Sequence, residues 1–158
     1  MGLVRYFTPE NPLAKAIAVP GGKLVSEAVD DARIELLEIS DECLAEVDTL
    51  LARIYQLSGS VPAGAELTEL YRTVREVAGL AGMCDLEDMG AAALSFCALL
   101  DHAQDGGQLT QEHIDVHVNV LKILRRSGDF TEAQRAVVLK NLDAMVEKLA
   151  KKDAAASE

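Results

Sequence analysis

Apolar residues recur at helical spacing along most of the chain. Between Leu24 and Leu57 they return every three or four positions, which predicts one long amphipathic helix. Several of them also fit a heptad, a pattern typical of a helix that packs nearly parallel or antiparallel to its neighbours. The helix either breaks near the cap-forming residues Ser40 and Asp41 or runs on, with its end free for dimer contacts. The apolar positions are 25, 29, 32, 36, 39, 43, 47, 50, 54 and 57.

Four shorter helices follow, and residues that favour helix ends mark their boundaries. Gly82 is expected to take the left-handed conformation that ends the second helix, and Asp85 to cap the third. Thr110 caps the fourth helix, and Thr131 with Gln134 forms a capping box for the fifth. The predicted ranges are Ala65–Ala81, Leu86–His102, 111–127 and Glu132–Lys151.

No segment alternates cleanly between apolar and polar residues, and the connections are short. These features predict an all-α fold, an antiparallel four-helix-type bundle with an additional C-terminal helix. Residues 1–23 hold three of the four prolines and a Gly-Gly pair, and we interpret them as an N-terminal arm. The arm is apolar, so it packs either on its own bundle or on a second subunit. Residues 24–152 form a single domain, and 153–158 a frayed tail.

Composition narrows the function classes. Apolar residues make up 49% of the chain, enough for a buried core, and the formal net charge is −11. Such an acidic chain is not expected to bind nucleic acid, which requires a basic surface. No uncharged apolar run is long enough to span a membrane, and the N-terminus lacks the pattern of a signal peptide. We therefore expect no membrane partner and a cytoplasmic location.

The three cysteines, Cys43, Cys84 and Cys97, are odd in number and far apart, with no C-x-x-C pair. This pattern does not indicate a disulfide scaffold or a zinc ribbon. Each cysteine falls on a predicted apolar helix face. We expect each to be a small core residue, and the chain to suit a reducing compartment.

The histidines are candidates for chemistry but lack the partners that chemistry needs. His113 and His117 share a helix face, yet no Glu-x-x-His pair recurs on another helix, as a di-iron bundle would need. His102 lies at a helix C-terminus, where an imidazolium is favoured. The chain also lacks a Gly-rich phosphate loop and a nucleophile elbow. We predict no catalytic residue, no metal site and no cofactor, so the protein is not expected to be an enzyme.

The second predicted helix presents a basic pair opposite its apolar stripe. Arg72 and Arg75 lie about one turn apart on this outward face, with Thr68, Glu76 and Gly79 beside them. The face is either simply solvated or a surface that binds a partner. We take these five residues as the candidate partner-binding set.

The stretch RTVREVAGLAGMCDL, residues 72–86, resembles the signature of histidine-containing phosphotransfer (HPt) domains. That signature reads approximately His-x-Leu-Lys-Gly-x-Ala-x-x-x-Gly, followed by Leu four residues later. Val74 and Arg75 occupy its apolar and basic positions, and Ala78, Gly82 and Leu86 match outright. The resemblance covers residues 24–127 and implies a helical bundle on which a response-regulator receiver domain docks.

Two positions depart from the signature. Arg72 stands where the family has its phospho-accepting histidine, and Glu76 where it has a small glycine. An arginine has no neutral nitrogen nucleophile at physiological pH, so it cannot accept a phosphoryl group in the usual way. The resemblance thus implies a phosphorylation-incompetent module that docks receivers in bacterial two-component or chemotaxis signalling. Two alternatives are a homodimeric helical adaptor or scaffold and an active phosphotransfer protein using a displaced histidine, His113 or His117.

Overall fold

The structure, a computed structural model, describes residues 24–126 and 130–156, apart from the side chains of residues 36–38, 154 and 156. This part of the chain is all-helical and contains no strand, which confirms the all-α part of the predicted fold. The N-terminal arm, the predicted helix end at Ser127 and the last two residues lie outside the described residues. The helices are α1 (Val25–Leu57), α2 (Ala65–Ala81), α3 (Glu87–Gln104), α4 (Gln111–Arg125) and α5 (Glu132–Ala156).

The chain divides into two compact units, Met1–Glu38 and Ile39–Glu158. In the first, the described side chains, those of residues 24–35, are all exposed. They include Val25 and Val29, which are 82% and 58% exposed although the apolar stripe assigns them to a packed face. Exposed apolar side chains on one helix face are sites where another surface can bind.

Helix α1 has no break at Ser40 and Asp41, so the second of the two alternatives, an unbroken helix, is the one observed. In the second unit its stripe is confirmed at residues 43, 47, 50 and 54, whose side chains are all buried. Val47 and Ile54 have no exposed surface, and burying such a side chain contributes about 1.5–3 kcal/mol.

The core of the second unit surrounds α3, which contacts α2, α4 and α5. Phe96 on α3 is fully buried and stacks on the ring of His117 from α4, with 5.0 Å between ring centroids. On the side facing α2, a methyl group added at Gly90 would lie 3.3 Å from Cβ of Ala81. Gly90 therefore allows α2 and α3 to approach closely.

The predicted cap at Thr110 and the predicted capping box of Thr131 with Gln134 are both confirmed, and the Thr110 cap is itself a capping box. The backbone N–H of His113 donates to Oγ1 of Thr110 at 3.4 Å, and Nδ1 of His113 accepts from the Thr110 N–H at the same distance. At the start of α5, the Thr131 N–H donates to Oε1 of Gln134 at 2.9 Å, and Gln134 returns a backbone bond to Thr131 at 3.3 Å. His113 thus takes the place that a glutamate or glutamine fills in the usual box.

The predicted end of α2 is wrong in detail. Gly82 has right-handed backbone angles (φ −68°), and the left-handed residue of this turn is Asp85 (φ 54°). The N–H of Leu86 bonds the carbonyl of Ala81 at 2.9 Å, which is the six-to-one bond of a Schellman motif. Asp85 therefore lies in the turn after α2 and does not cap α3, whose N-cap residue is Leu86. Aspartate tolerates the left-handed region better than most side chains.

Helix α5 runs to Ala156, past its predicted end at Lys151, so the start of the predicted frayed tail is helical. Oδ2 of Asp153 accepts from the Gln108 N–H at 2.8 Å and lies 2.9 Å from Nε2 of His102. These two contacts hold the end of α5 against the α3–α4 connection. None of the described helices is long and apolar enough to cross a membrane.

All three cysteines are buried in the core as expected, but two of them are paired, which the cysteine pattern did not indicate. Cys43 on α1 and Cys84 in the α2–α3 turn form a disulfide, with Cα atoms 6.4 Å apart and a sequence separation of 41. Their spacing resembles no known motif, and only the packing of α1 beside the turn brings them together. Cys97 is free and buried, as predicted.

Candidate functional site

The structure places all five candidate residues on the exposed side of α2. The opposite side of the helix is buried through Leu67, Leu70, Val74, Val77 and Ala81. The amphipathic pattern of α2 therefore fixes which side chains reach solvent. The exposed set is Thr68, Arg72, Arg75, Glu76 and Gly79.

Arg72 and Glu76 form an ion pair one turn apart on α2, with Nη1 of Arg72 3.1 Å from Oε1 of Glu76. The Arg72 side chain is 67% exposed, so water and salt screen the pair. An exposed pair of this kind contributes at most about 1 kcal/mol. The guanidinium can therefore leave Glu76 for another carboxylate at little cost.

Arg75 makes no ion pair or hydrogen bond within the part of the chain that the structure describes. One turn before Arg75 on α2, the hydroxyl of Tyr71 donates to Oδ2 of Asp101 on α3 at 3.3 Å. The Asp101 charge, followed by burial, raises the pKa of Tyr71, and Arg75 partly opposes that shift. Burial is the main cause that raises the pKa of Cys97 to about 11, so this thiol is a poor nucleophile.

Thr68 and Gly79 mark the two ends of the face. Oγ1 of Thr68 donates to the carbonyl of Gly64 at 3.2 Å, so the hydroxyl is already engaged in its own helix. A methyl group added at Gly79 would meet nothing within 4 Å. Packing within the described chain therefore does not require glycine there, and a partner can approach the backbone at this point.

A groove of about 330 Å³ lies beside this face, between α1 and α2. The sequence analysis missed it, although one of its walls is formed by Met83, which is 67% exposed directly after Gly82. An exposed methionine in a turn after an amphipathic helix was the available signal. The groove is lined by Glu46, Leu50, Glu76, Gly79, Leu80 and Met83.

The three histidines all have structural contacts. His117 is completely buried; its Nδ1 bonds the carbonyl of His113 at 2.9 Å, and its Nε2 has no partner within the described residues. Burial lowers the pKa of His117 below its ordinary value. His113 belongs to the α4 capping box, and His102 contacts Asp153.

Within residues 24–126 and 130–156, no group of three or more His, Cys, Asp or Glu side chains is placed to hold a metal ion. Comparisons with protein-family models, with curated proteins and with solved structures each return no match to this chain.

The exposed face of α2 is distinguished mainly by its charged side chains. Arg72, Arg75 and Glu76 carry a net charge of about +1 on a chain whose formal net charge is −11. A local excess of positive charge on an acidic protein attracts carboxylates or phosphates and steers their approach. Arg72 and Arg75 are therefore suited to attract an acidic group, but neither guanidinium can accept a phosphoryl group in the usual way.

Proposed function

We propose that the protein is a phosphorylation-incompetent HPt-like module that docks response-regulator receiver domains in bacterial two-component or chemotaxis signalling. In this proposal α1 to α4 form the antiparallel four-helix bundle of such a module, and α5 is an addition to it. The observation that carries the proposal is the exposed Arg72–Arg75 pair, at the place where the HPt signature has its reactive histidine.

The docking chemistry is electrostatic. A receiver's active site is a cluster of acidic side chains, and opposite charges across an interface speed association and fix the register. Arg75 is free of ion pairs among the described residues, whereas Arg72 exchanges Glu76 for a receiver carboxylate. Glu76 opposes docking, because its own charge is repelled by the acidic cluster. The bound receiver is occupied without receiving a phosphoryl group, so the module would sequester it or compete with an active HPt domain.

The test is the binding of purified receiver domains from the source organism to wild type and to two charge-reversal variants. Arg72→Glu should weaken binding at least tenfold, because it places a repelled carboxylate against the acidic cluster. Lys140→Glu makes the same charge change on an exposed position of α5 and should leave affinity nearly unchanged. The proposal fails if no receiver binds wild type, or if both variants bind like wild type.

A second candidate is a homodimeric helical adaptor or scaffold, and a separate observation favours it. Val25, Val29 and Ile34 on α1 are more than half exposed, and a second copy of the chain would cover them. Size-exclusion chromatography with light scattering should then give a dimer mass at micromolar concentration. Val25→Glu with Val29→Glu should convert that dimer into a monomer. A strict monomer for wild type rejects this candidate.

Phosphotransfer through a displaced histidine is the third candidate. His117 would need local opening of the core before a phosphoryl donor could reach it, and His113 would have to leave its cap. Acid-labile phosphate on wild type that disappears in His113→Ala or His117→Ala would establish it. The lack of such phosphate with several kinases rejects it.

A further inference from the structure

The disulfide lies where the second unit holds α1 most weakly. Of residues 39–46, Cys43 alone is buried, and its neighbours on both sides are half-buried or exposed. Sγ of Cys43 also lies 3.8 Å from the carbonyl oxygen of Leu80, beside the groove. Apart from the partly buried Leu44, the covalent bond is thus the main attachment of this part of α1 to the rest of the unit.

Further along α1 the attachment does not depend on the disulfide. Val47 and Ile54 have no exposed surface and belong to the core. Asp48 accepts two hydrogen bonds from Arg125 of α4, at 2.8 and 2.9 Å. Hydrophobic burial together with a bidentate ion pair keeps residues 47–57 in place when the sulfur–sulfur bond is absent.

The other end of the bond lies in a short turn. Cys84 follows α2 and precedes Asp85, whose positive φ of 54° is uncommon for a residue other than glycine. The Cys84 N–H bonds the carbonyl of Ala81 at 3.3 Å, so the turn has some hydrogen bonding of its own. Met83 and Asp85 on either side of Cys84 are exposed, and a segment with few buried contacts opens more readily than a packed helix.

We propose that Cys43 and Cys84 form a redox latch, which holds residues 39–46 of α1 on the α2–α3 turn when oxidised and releases them when reduced. Leu50 and Glu46 form one wall of the groove and Leu80 and Met83 the other, so the latch also sets the width of that groove. The proposal concerns the chain itself and does not depend on which partner docks on α2.

The chemistry is thiol–disulfide exchange. One dithiol reductant gives two electrons and two protons: the sulfur–sulfur bond of Cys43 and Cys84 breaks, both sulfurs become thiols, and the reductant becomes a disulfide. A small disulfide such as oxidised glutathione reverses the step and leaves as two thiols. Cys97 is a bystander, because its raised pKa keeps it protonated and therefore unreactive.

Hydrogen exchange measured by mass spectrometry on the full-length chain, oxidised with glutathione disulfide or reduced with dithiothreitol, tests the latch. Under denaturing conditions, alkylation should count one thiol in the oxidised protein and three after reduction. Reduction should speed amide exchange in residues 41–46 and 82–86 at least about tenfold, and leave residues 50–57 unchanged. Cys43→Ser should match the reduced protein, and Cys97→Ser should respond to reduction like wild type.

Three results would overturn the proposal. The disulfide does not form in glutathione disulfide, or reduction leaves exchange at residues 41–46 unchanged. The third result is that reduction speeds amide exchange equally throughout the second unit, which would mean that the disulfide stabilises the whole unit. Cys43→Ser and reduction give independent access to the open state, so poor folding of the variant does not prevent the test.

Discussion

His117 is the most constrained polar residue in the core. Its imidazole is fully buried against Phe96, and burial lowers its pKa below the ordinary value near 6.5. The hydrogen bond from the His117 ring to the His113 carbonyl opposes this lowering, as does the charge of Asp143 on α5, whereas the His113 ring adds to it. The folded protein therefore resists protonating this ring, while the unfolded chain accepts a proton freely.

Stability should fall as the pH drops below about 6.5, because the unfolded state then binds more protons than the folded state. The loss continues down to the depressed folded pKa, with a slope of at most about 1.4 kcal/mol per pH unit. Urea unfolding from pH 7.5 to 5.0 measures it. His117→Leu should flatten the profile in this window, and an equally steep profile in the variant would assign the effect to another group.

Gly107 is required for a steric reason. A methyl group there would overlap the His102 ring, which also contacts Asp153. Gly107→Ala should therefore destabilise the protein by about 1–3 kcal/mol, like other overpacking changes, and loosen the end of α5. Gly82→Ala is the matched control, since it has right-handed angles and open space, and should be neutral or slightly stabilising. Thermal melting compares the two, and equal melting temperatures would refute the steric argument.

Among the helices, α5 has the smallest apolar attachment in the described core. Leu142 is its one buried side chain there, at 2% exposure, and partly buried residues such as Val138 and Leu149 pack around it. Arg135 adds an ion pair to Asp88 on α3. The apolar spacing predicted that Leu142 lies on the inward face. It could not predict the Arg135–Asp88 ion pair, because the two residues are 47 apart in sequence and no local pattern links them.

Leu142→Ala should destabilise the protein by about 2–4 kcal/mol, the cost of a cavity in a packed core. Val137→Ala on the same helix removes two carbons from an exposed site and should stay within about 0.5 kcal/mol of wild type. Denaturant unfolding followed by circular dichroism measures both. If Leu142→Ala lowers the free energy of unfolding as little as Val137→Ala does, α5 is not part of the cooperative core.

Periodicity predicted more of the elements than of the site. The type and order of the five helices follow from apolar spacing, which reports the face that each helix buries. The Cys43–Cys84 bond, the clasp of Asp153 on His102 and the groove beside Met83 depend on residues brought together by packing between helices. A helical period defines a face but not the neighbour that covers it. At the candidate site, apolar spacing therefore predicted which face of α2 is exposed. It did not predict that residues of α1 form the other wall of the groove beside that face.

The charge of the whole chain makes two properties respond to salt in opposite ways. A formal net charge of −11 repels itself in the compact state, and added salt screens that repulsion. Raising sodium chloride from about 20 to 200 mM should therefore raise the melting temperature while weakening receiver binding severalfold. Scanning fluorimetry and titration calorimetry on one sample series measure both. Binding that does not depend on salt would argue against charge-based docking on Arg72 and Arg75.

The position of α3 among three neighbours limits where this protein could vary. With α2, α4 and α5 packed around it, α3 leaves open one narrow strip between its two ends, at residues 91, 94, 98 and 101. In a library that places every amino acid at each position of α3, substitutions should therefore be tolerated best at these four positions, which are three, four and three residues apart. Leu94 should accept polar replacements that Phe96 does not, although both are large and apolar. Variation among descendants of this chain would concentrate on the same strip.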